Sequence, residues 1–127
     1  MDIVWLAGRV LISLVFITSG FSHLKNLGYT AQAAAASGMP APKLLALLAS
    51  LFALLGGLGV ALGFRAEIGA VLLLLFLVPV TLTMHPFWKY SDPMESANHK
   101  AHFMKNVALI GAALFILYTG PGPFSFG

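Results

Sequence analysis

The sequence contains no cysteine. That excludes disulfides, thiolate nucleophiles and thiolate metal sites. It also excludes a four-helix thiol-oxidising enzyme that hands electrons to quinone, because the reacting group is missing. Charge is scarce as well. Only 9% of the residues are charged, with 59% hydrophobic, whereas a soluble domain carries roughly a quarter charged residues. A water-soluble fold is therefore excluded by composition. No polar stretch is long enough to bury a core of its own, so the 127 residues form a single domain, 1–127. No alternation of period two accompanies the apolar runs. In lipid the backbone is satisfied only in helices or closed barrels, so these runs are helices.

Four runs have the length needed to cross a hydrocarbon core, about 20 residues. They are Ile3 to Ser22, Leu44 to Phe64, Ala66 to Met84 and Phe103 to Gly120. The first is too long for a signal-peptide core and is followed by others, so no cleaved leader is expected. Between spans one and two, "YTAQAAAASG" followed by "MPAP" predicts a short interfacial helix stopped by Gly38 and the prolines, with a plain loop as the alternative. The expected fold is an all-α transmembrane four-helix bundle with that interfacial helix between its first two spans.

The net charge is +3, from seven basic and four acidic residues. The basic residues are scattered, without the clustering that nucleic acid requires. No nucleic-acid partner is expected; the lipid bilayer is. Four spans put both termini on one face, side A. Side B holds Lys25, Lys43, Lys89, Lys100 and Lys105, while side A holds Arg65, joined by Arg9 if it snorkels that way. The positive-inside rule then places side B in the cytoplasm and both termini outside.

Span two holds two small-residue pairs, Gly59 with Gly63 and Ala53 with Gly57. Such pairs let helices approach closely, within one chain or between copies. Pro79 in span three leaves the Leu75 carbonyl without its helical partner and predicts a kink, with Thr81 and Thr83 near enough to resatisfy the backbone. Arg9 lies about two turns into span one. A charge at that depth pairs or snorkels. Glu67 opens span three on the same side, so an Arg9–Glu67 structural ion pair is one expectation. A snorkelling Arg9 and a ligand-binding Arg9 are the alternatives.

The polar chemistry is concentrated in "HPFWKYSDPMESANHKAHF", His85 to Phe103. Asp92, Pro93 and Glu95 form a helix start, so the fourth helix begins ahead of the membrane. Glu95, His99, His102 and Asn106 then fall on one helical face. His23 ends span one and His85 ends span three, so all four histidines gather on side B. Imidazole serves as a metal ligand, a proton relay or a hydrogen-bond partner for a quinone carbonyl. Histidines at an interface with no joint role are the plainest reading. The sharper one is a quinone or proton-relay site of His23, His85, His99, His102 and Asn106, flanked by Trp88 and Phe103. No metal-binding spacing is present, so no metal or haem is expected.

Several stretches resemble the DoxX-like family of membrane proteins. "GRVLISLVFITSGFSHLKNL" resembles its first helix. "GMPAP" with "LLGGLGVALGFRAEIGAVLL" resembles its second and third, joined by an arginine turn. "HFMKNVALIGAALFIL" resembles the fourth. Together they cover nearly the whole chain. The matching positions are Arg9, Gly20, Lys25, Gly57, Gly63, Arg65, Lys105 and Asn106. The resemblance implies a multi-pass protein of the bacterial cytoplasmic (inner) membrane. Some relatives are subunits of thiosulfate:quinone oxidoreductase, and others are linked to oxidative stress or quinone handling. Ala53 stands where many members carry an acid, so no role resting on that acid transfers. The expected function is a redox-associated subunit that contacts quinone or a quinone-like molecule, with electrons supplied by a protein partner. The alternative is a non-catalytic assembly subunit of a larger complex or a homo-oligomer. A proton-coupled drug exporter fits less well, because span one carries no carboxylate beyond Asp2.

Overall fold

The computed structural model describes residues 2–126. These form five α-helices in the order α1 (Asp2–Lys25), α2 (Leu27–Ala36), α3 (Pro42–Leu62), α4 (Ala66–Met84) and α5 (Pro93–Thr119), with a single 3₁₀ turn at Phe87–Lys89. Among the described residues there is no strand. Four of the helices, α1, α3, α4 and α5, are long and apolar enough to cross a membrane. The short α2 is the expected helix between the first two spans, and it packs on α3.

The helix ends follow local chemistry. Gly63 stops α3 in the left-handed conformation, with φ 68°. This region is open to glycine without a Cβ penalty. Span two therefore ends at Leu62, two residues before the expected Phe64. Asp92 starts α5, its carboxylate accepting the Glu95 N–H at 3.1 Å, with Pro93 in the first turn. From there α5 runs unbroken for 27 residues, ten residues ahead of the expected span. Helix α4 also runs unbroken through Pro79. Thr83 donates to the Pro79 carbonyl at 2.7 Å, and the buried Thr81 hydroxyl finds no partner among the described residues.

Helix α3 is the centre of the packing. It lies against α1 on one side and α4 on the other, and α5 packs on α4. The core holds Phe16 of α1, Ala53 and Val60 of α3, and Leu73, Phe76 and Leu77 of α4. Phe16 meets Phe76 edge-on, with centroids 6.3 Å apart. Lipid gives no hydrophobic drive between helices, so close backbone approach carries the association. It occurs at Gly20, where an added Cβ would sit 2.7 Å from the Leu54 nitrogen, and at Gly56, 2.9 Å from the Gly69 carbonyl oxygen. Gly57 faces Phe16 and Ile17 of α1. The small residues of α3 thus serve contacts within one chain. Gly59 and Gly63 do not form a helix-pairing face, since Gly63 lies past the helix end.

On side A the chain after α5 folds back under the bundle. The Phe126 N–H donates to the Leu62 carbonyl at 3.2 Å. Arg9, only 4% exposed, donates to three carbonyls of this segment: Pro121 at 2.5 Å and Pro123 at 3.0 Å from Nη1, and Phe124 at 2.7 Å from Nη2. This corrects the expected Arg9–Glu67 ion pair. Backbone carbonyls take the guanidinium instead, and a buried arginine is satisfied by such acceptors as well as by an acid. Glu67 is exposed, with its carboxylate beside Gly120.

Candidate functional site at the side-B end of the bundle

Helix α4 ends at Met84 and leaves His85 as its C-cap. The chain turns through Phe87–Lys89 and re-enters as α5. The Ser96 hydroxyl donates to the Phe87 carbonyl at 3.0 Å, tying the turn to the first turns of α5. Phe87, Trp88 and Phe103 form a three-ring cluster with centroids 5.3, 5.3 and 5.8 Å apart, all near edge-on. Each such pair contributes about 0.5–1.5 kcal/mol beyond the area it buries. The cluster is enough to fix the turn on α5, and hence the ring of His85.

His85 is the hub of the site. Its Nδ1 lies 3.3 Å from Nδ1 of His99. One of the two nitrogens carries the proton and the other accepts it. On its other side His85 stacks with His102, centroids 5.0 Å apart and planes at 20°. His99 is covered in turn by Tyr90, stacked at 4.3 Å and 5°. Tyr90, His99, His85 and His102 therefore form a continuous row of rings.

The inner end of that row opens on a cavity of ≈ 250 Å³ between α1, α4 and α5. His23 and Ser19 line it from α1, His85 from the end of α4, and His102, Lys105 and Asn106 from α5. Phe16, Phe76, Leu77 and Val80 supply its apolar wall. Asn106 is 6% exposed, and it lines the cavity.

The structure thus brings His23, His85, His102 and Asn106 to one cavity. His99 stays outside it and reaches it through His85. Trp88, 55% exposed, packs on Phe87 and Phe103 and does not line the cavity. Lining residues such as Lys105, Ser19 and Phe16 went unnoticed in the sequence as site residues. Lys105 precedes Asn106 and brings an ammonium to the rim; its signal was a lone cation early in a span. Ser19 and Phe16 gave no signal, because small and aromatic residues are ordinary on a packed helix. Chemically, the cavity has neutral and cationic donors on one wall and aromatic and aliphatic carbon on the other.

Four helices long and apolar enough to cross a membrane, three of them around a cavity at one end, define a small polytopic membrane protein. The chain belongs to the DoxX family, whose sequence model matches residues 4–86. It is 31% identical to the inner membrane protein YphA of Escherichia coli (strain K12) over 120 residues, which is 94% of this chain and 85% of that protein. It is 32% identical to the inner membrane protein YqjF of the same strain over 124 residues, 98% of this chain and 89% of that protein. A surfeit locus protein 4 homolog of Schizosaccharomyces pombe is 33% identical over 69 residues, 52% of this chain and 22% of that protein. No solved structure matches. The family match ends beside His85, so α5, which carries His99, His102 and Asn106, lies beyond it.

Proposed function

We propose that this chain is an inner-membrane protein that binds a quinone-like ring in the side-B cavity, as the redox-associated subunit of a larger system. The observation that carries this reading is the convergence of His23, His85, His102 and Asn106 on one cavity with an aromatic and aliphatic wall. A quinone needs donors for two opposed carbonyl oxygens and a flat apolar surface for its ring. Imidazole N–H groups and the Asn106 amide supply the donors. Phe16, Phe76, Leu77 and Val80 supply the apolar surface. The contact between His99 and His85 supplies a proton step, with Tyr90 and His102 stacked on these two imidazoles. His99 exchanges protons with water near Tyr90, and the Nδ1-to-Nδ1 contact passes them to His85 at the cavity. Were a protein partner to deliver electrons, these imidazoles would be placed to hand protons to the oxygens of a bound ring. Both curated relatives from Escherichia coli are inner membrane proteins by name, and this chain is assigned to the same membrane. The lysine bias puts side B in the cytoplasm, where the proton path begins.

The test is identification, by mass spectrometry, of lipid-soluble compounds that co-purify with the protein. A quinone-class compound retained by the unaltered protein, and lost from a His102→Ala, Asn106→Ala variant, supports the reading. A protein that retains none and purifies only as part of a complex supports the alternative, a non-catalytic assembly subunit.

A further inference from the structure

A second cavity, of ≈ 320 Å³, lies under α2. It shares His23, Phe76 and Val80 with the side-B cavity, so the two chambers meet at these side chains. The second chamber has a different character. Ala33 and Ala34 of α2 and Ala46 and Ala49 of α3 face it with methyl groups, leaving the space that larger side chains would fill. Met39 and Met84 close its far side. Sulfur contacts hold that closure: the Ser37 hydroxyl lies 3.1 Å from the Met84 sulfur, and the Thr83 hydroxyl 3.9 Å from the Met39 sulfur. At the near side the Thr30 hydroxyl donates to the His23 carbonyl at 3.3 Å. Helix α2 is thus a roof fastened at both ends.

Resting on the ring-binding reading above, we infer that the ligand is an amphiphile whose apolar tail lies in the chamber beneath α2 while its ring occupies the histidine-lined cavity. Volume supports the pairing. Small-molecule sites span roughly 300–1,000 Å³. The polar cavity alone falls short of that range, and the two chambers together fall within it. Chemistry supports it too. A chamber walled by alanine and flexible methionine suits a conformationally loose chain, because thioethers adapt to irregular shapes. Lipid is as apolar as the chamber, so the tail gains little by leaving the bilayer. The chamber therefore acts by direction. It fixes the side from which the tail leaves the ring and so aims the ring oxygens at His102 and Asn106.

The experiment uses the unaltered protein in lipid nanodiscs and two probes. One is a tailless benzoquinone; the other is the same ring on a prenyl tail ending in a diazirine. The tailless probe tests the ring site alone. The tailed probe, after illumination, reports where the tail lies. The expected result is binding of both, with crosslinks on peptides from Tyr29 to Ala49. Crosslinks on the α1–α5 seam, around Ile12 and Ala112, or on lipid alone would overturn the tail assignment while leaving the ring site standing. A tailless probe that does not bind would overturn both. A second arm uses Ala33→Phe, on the half-buried face of α2 outside the bundle core. It should remove the tail crosslinks from the Tyr29–Ala49 peptides and change the affinity of the tailless probe less than twofold. Tail crosslinks that persist on those peptides in the variant would also overturn the assignment.

Discussion

Arg9 in the first membrane helix donates to the Pro121 carbonyl, 112 residues away, and from the same guanidinium to Pro123 and Phe124. One side chain thereby fastens the end of the chain beneath the start of the bundle. The reason is electrostatic. A guanidinium that is 4% exposed needs acceptors, and the irregular segment after α5 offers carbonyls that no helix consumes. Removing the residues after Gly120 should therefore destabilise the bundle, because Arg9 is left buried and unpaired. An uncompensated buried charge costs about 3–5 kcal/mol in a dry site. In a chain already carrying Arg9→Leu, the same truncation should cost much less. Unfolding midpoints of the four proteins in detergent give the cycle, and additive losses would show that the contact carries no coupling.

The helix crossings make a second expectation. Gly20→Val places carbon against the backbone of α3 at Leu54 and Ser50, which cannot move without the helix. A loss of about 1–3 kcal/mol is expected, as for overpacking generally. Gly111→Ala meets nothing within 4 Å and should be neutral or stabilising by about 0.5–1 kcal/mol. Thermal unfolding of the two variants compares them directly. Equal stability would mean that α1 and α3 do not pack at Gly20.

Orientation is open to a clean chemical test, because the chain has no cysteine to react in the background. With both termini outside, Ser125→Cys should be labelled in intact cells by a membrane-impermeant thiol reagent. Ser91→Cys, in the exposed side-B turn, should be labelled only after lysis. The reverse pattern would put the histidine cavity on the outer face.

The spans were legible because lipid leaves the backbone no other choice, and the alanine run before Gly38 carried α2 in the same way. The start of α5 was legible from Asp92, Pro93 and Glu95, since a cap needs particular residue types at particular spacings. The partners of Arg9 were not legible. They are main-chain carbonyls, which every residue possesses, on a segment with no pattern of its own. The site was half legible. Helical spacing placed His99, His102 and Asn106 on one face of α5, but only packing decides that Asn106 and His102 reach the cavity while His99 stays behind His85. Trp88, expected to flank the site, packs on Phe87 and Phe103 and does not line the cavity.

On the proposed reading, that arrangement gives the two α5 histidines different expected effects. His99 lies outside the cavity and contacts it through His85 at 3.3 Å. His99→Ala should leave the affinity for a tailless quinone within about twofold, since no direct contact is lost. It should slow proton uptake on reduction of the bound ring, followed with a pH indicator. His102→Ala should weaken binding itself by about threefold to tenfold, the worth of one ordinary hydrogen bond of roughly 0.5–1.5 kcal/mol. Identical behaviour of the two variants would rule out the relay order.

The central claim is that the side-B cavity holds a quinone-like ring through His23, His102 and Asn106. Equilibrium binding of a tailless quinone to the purified protein in nanodiscs tests it most directly, comparing the unaltered chain with a His102→Ala, Asn106→Ala double variant of matched thermal stability. Saturable binding to the unaltered protein and at least tenfold weaker binding to the variant are expected. Equal binding by the two, or no binding by the unaltered protein, would contradict the account.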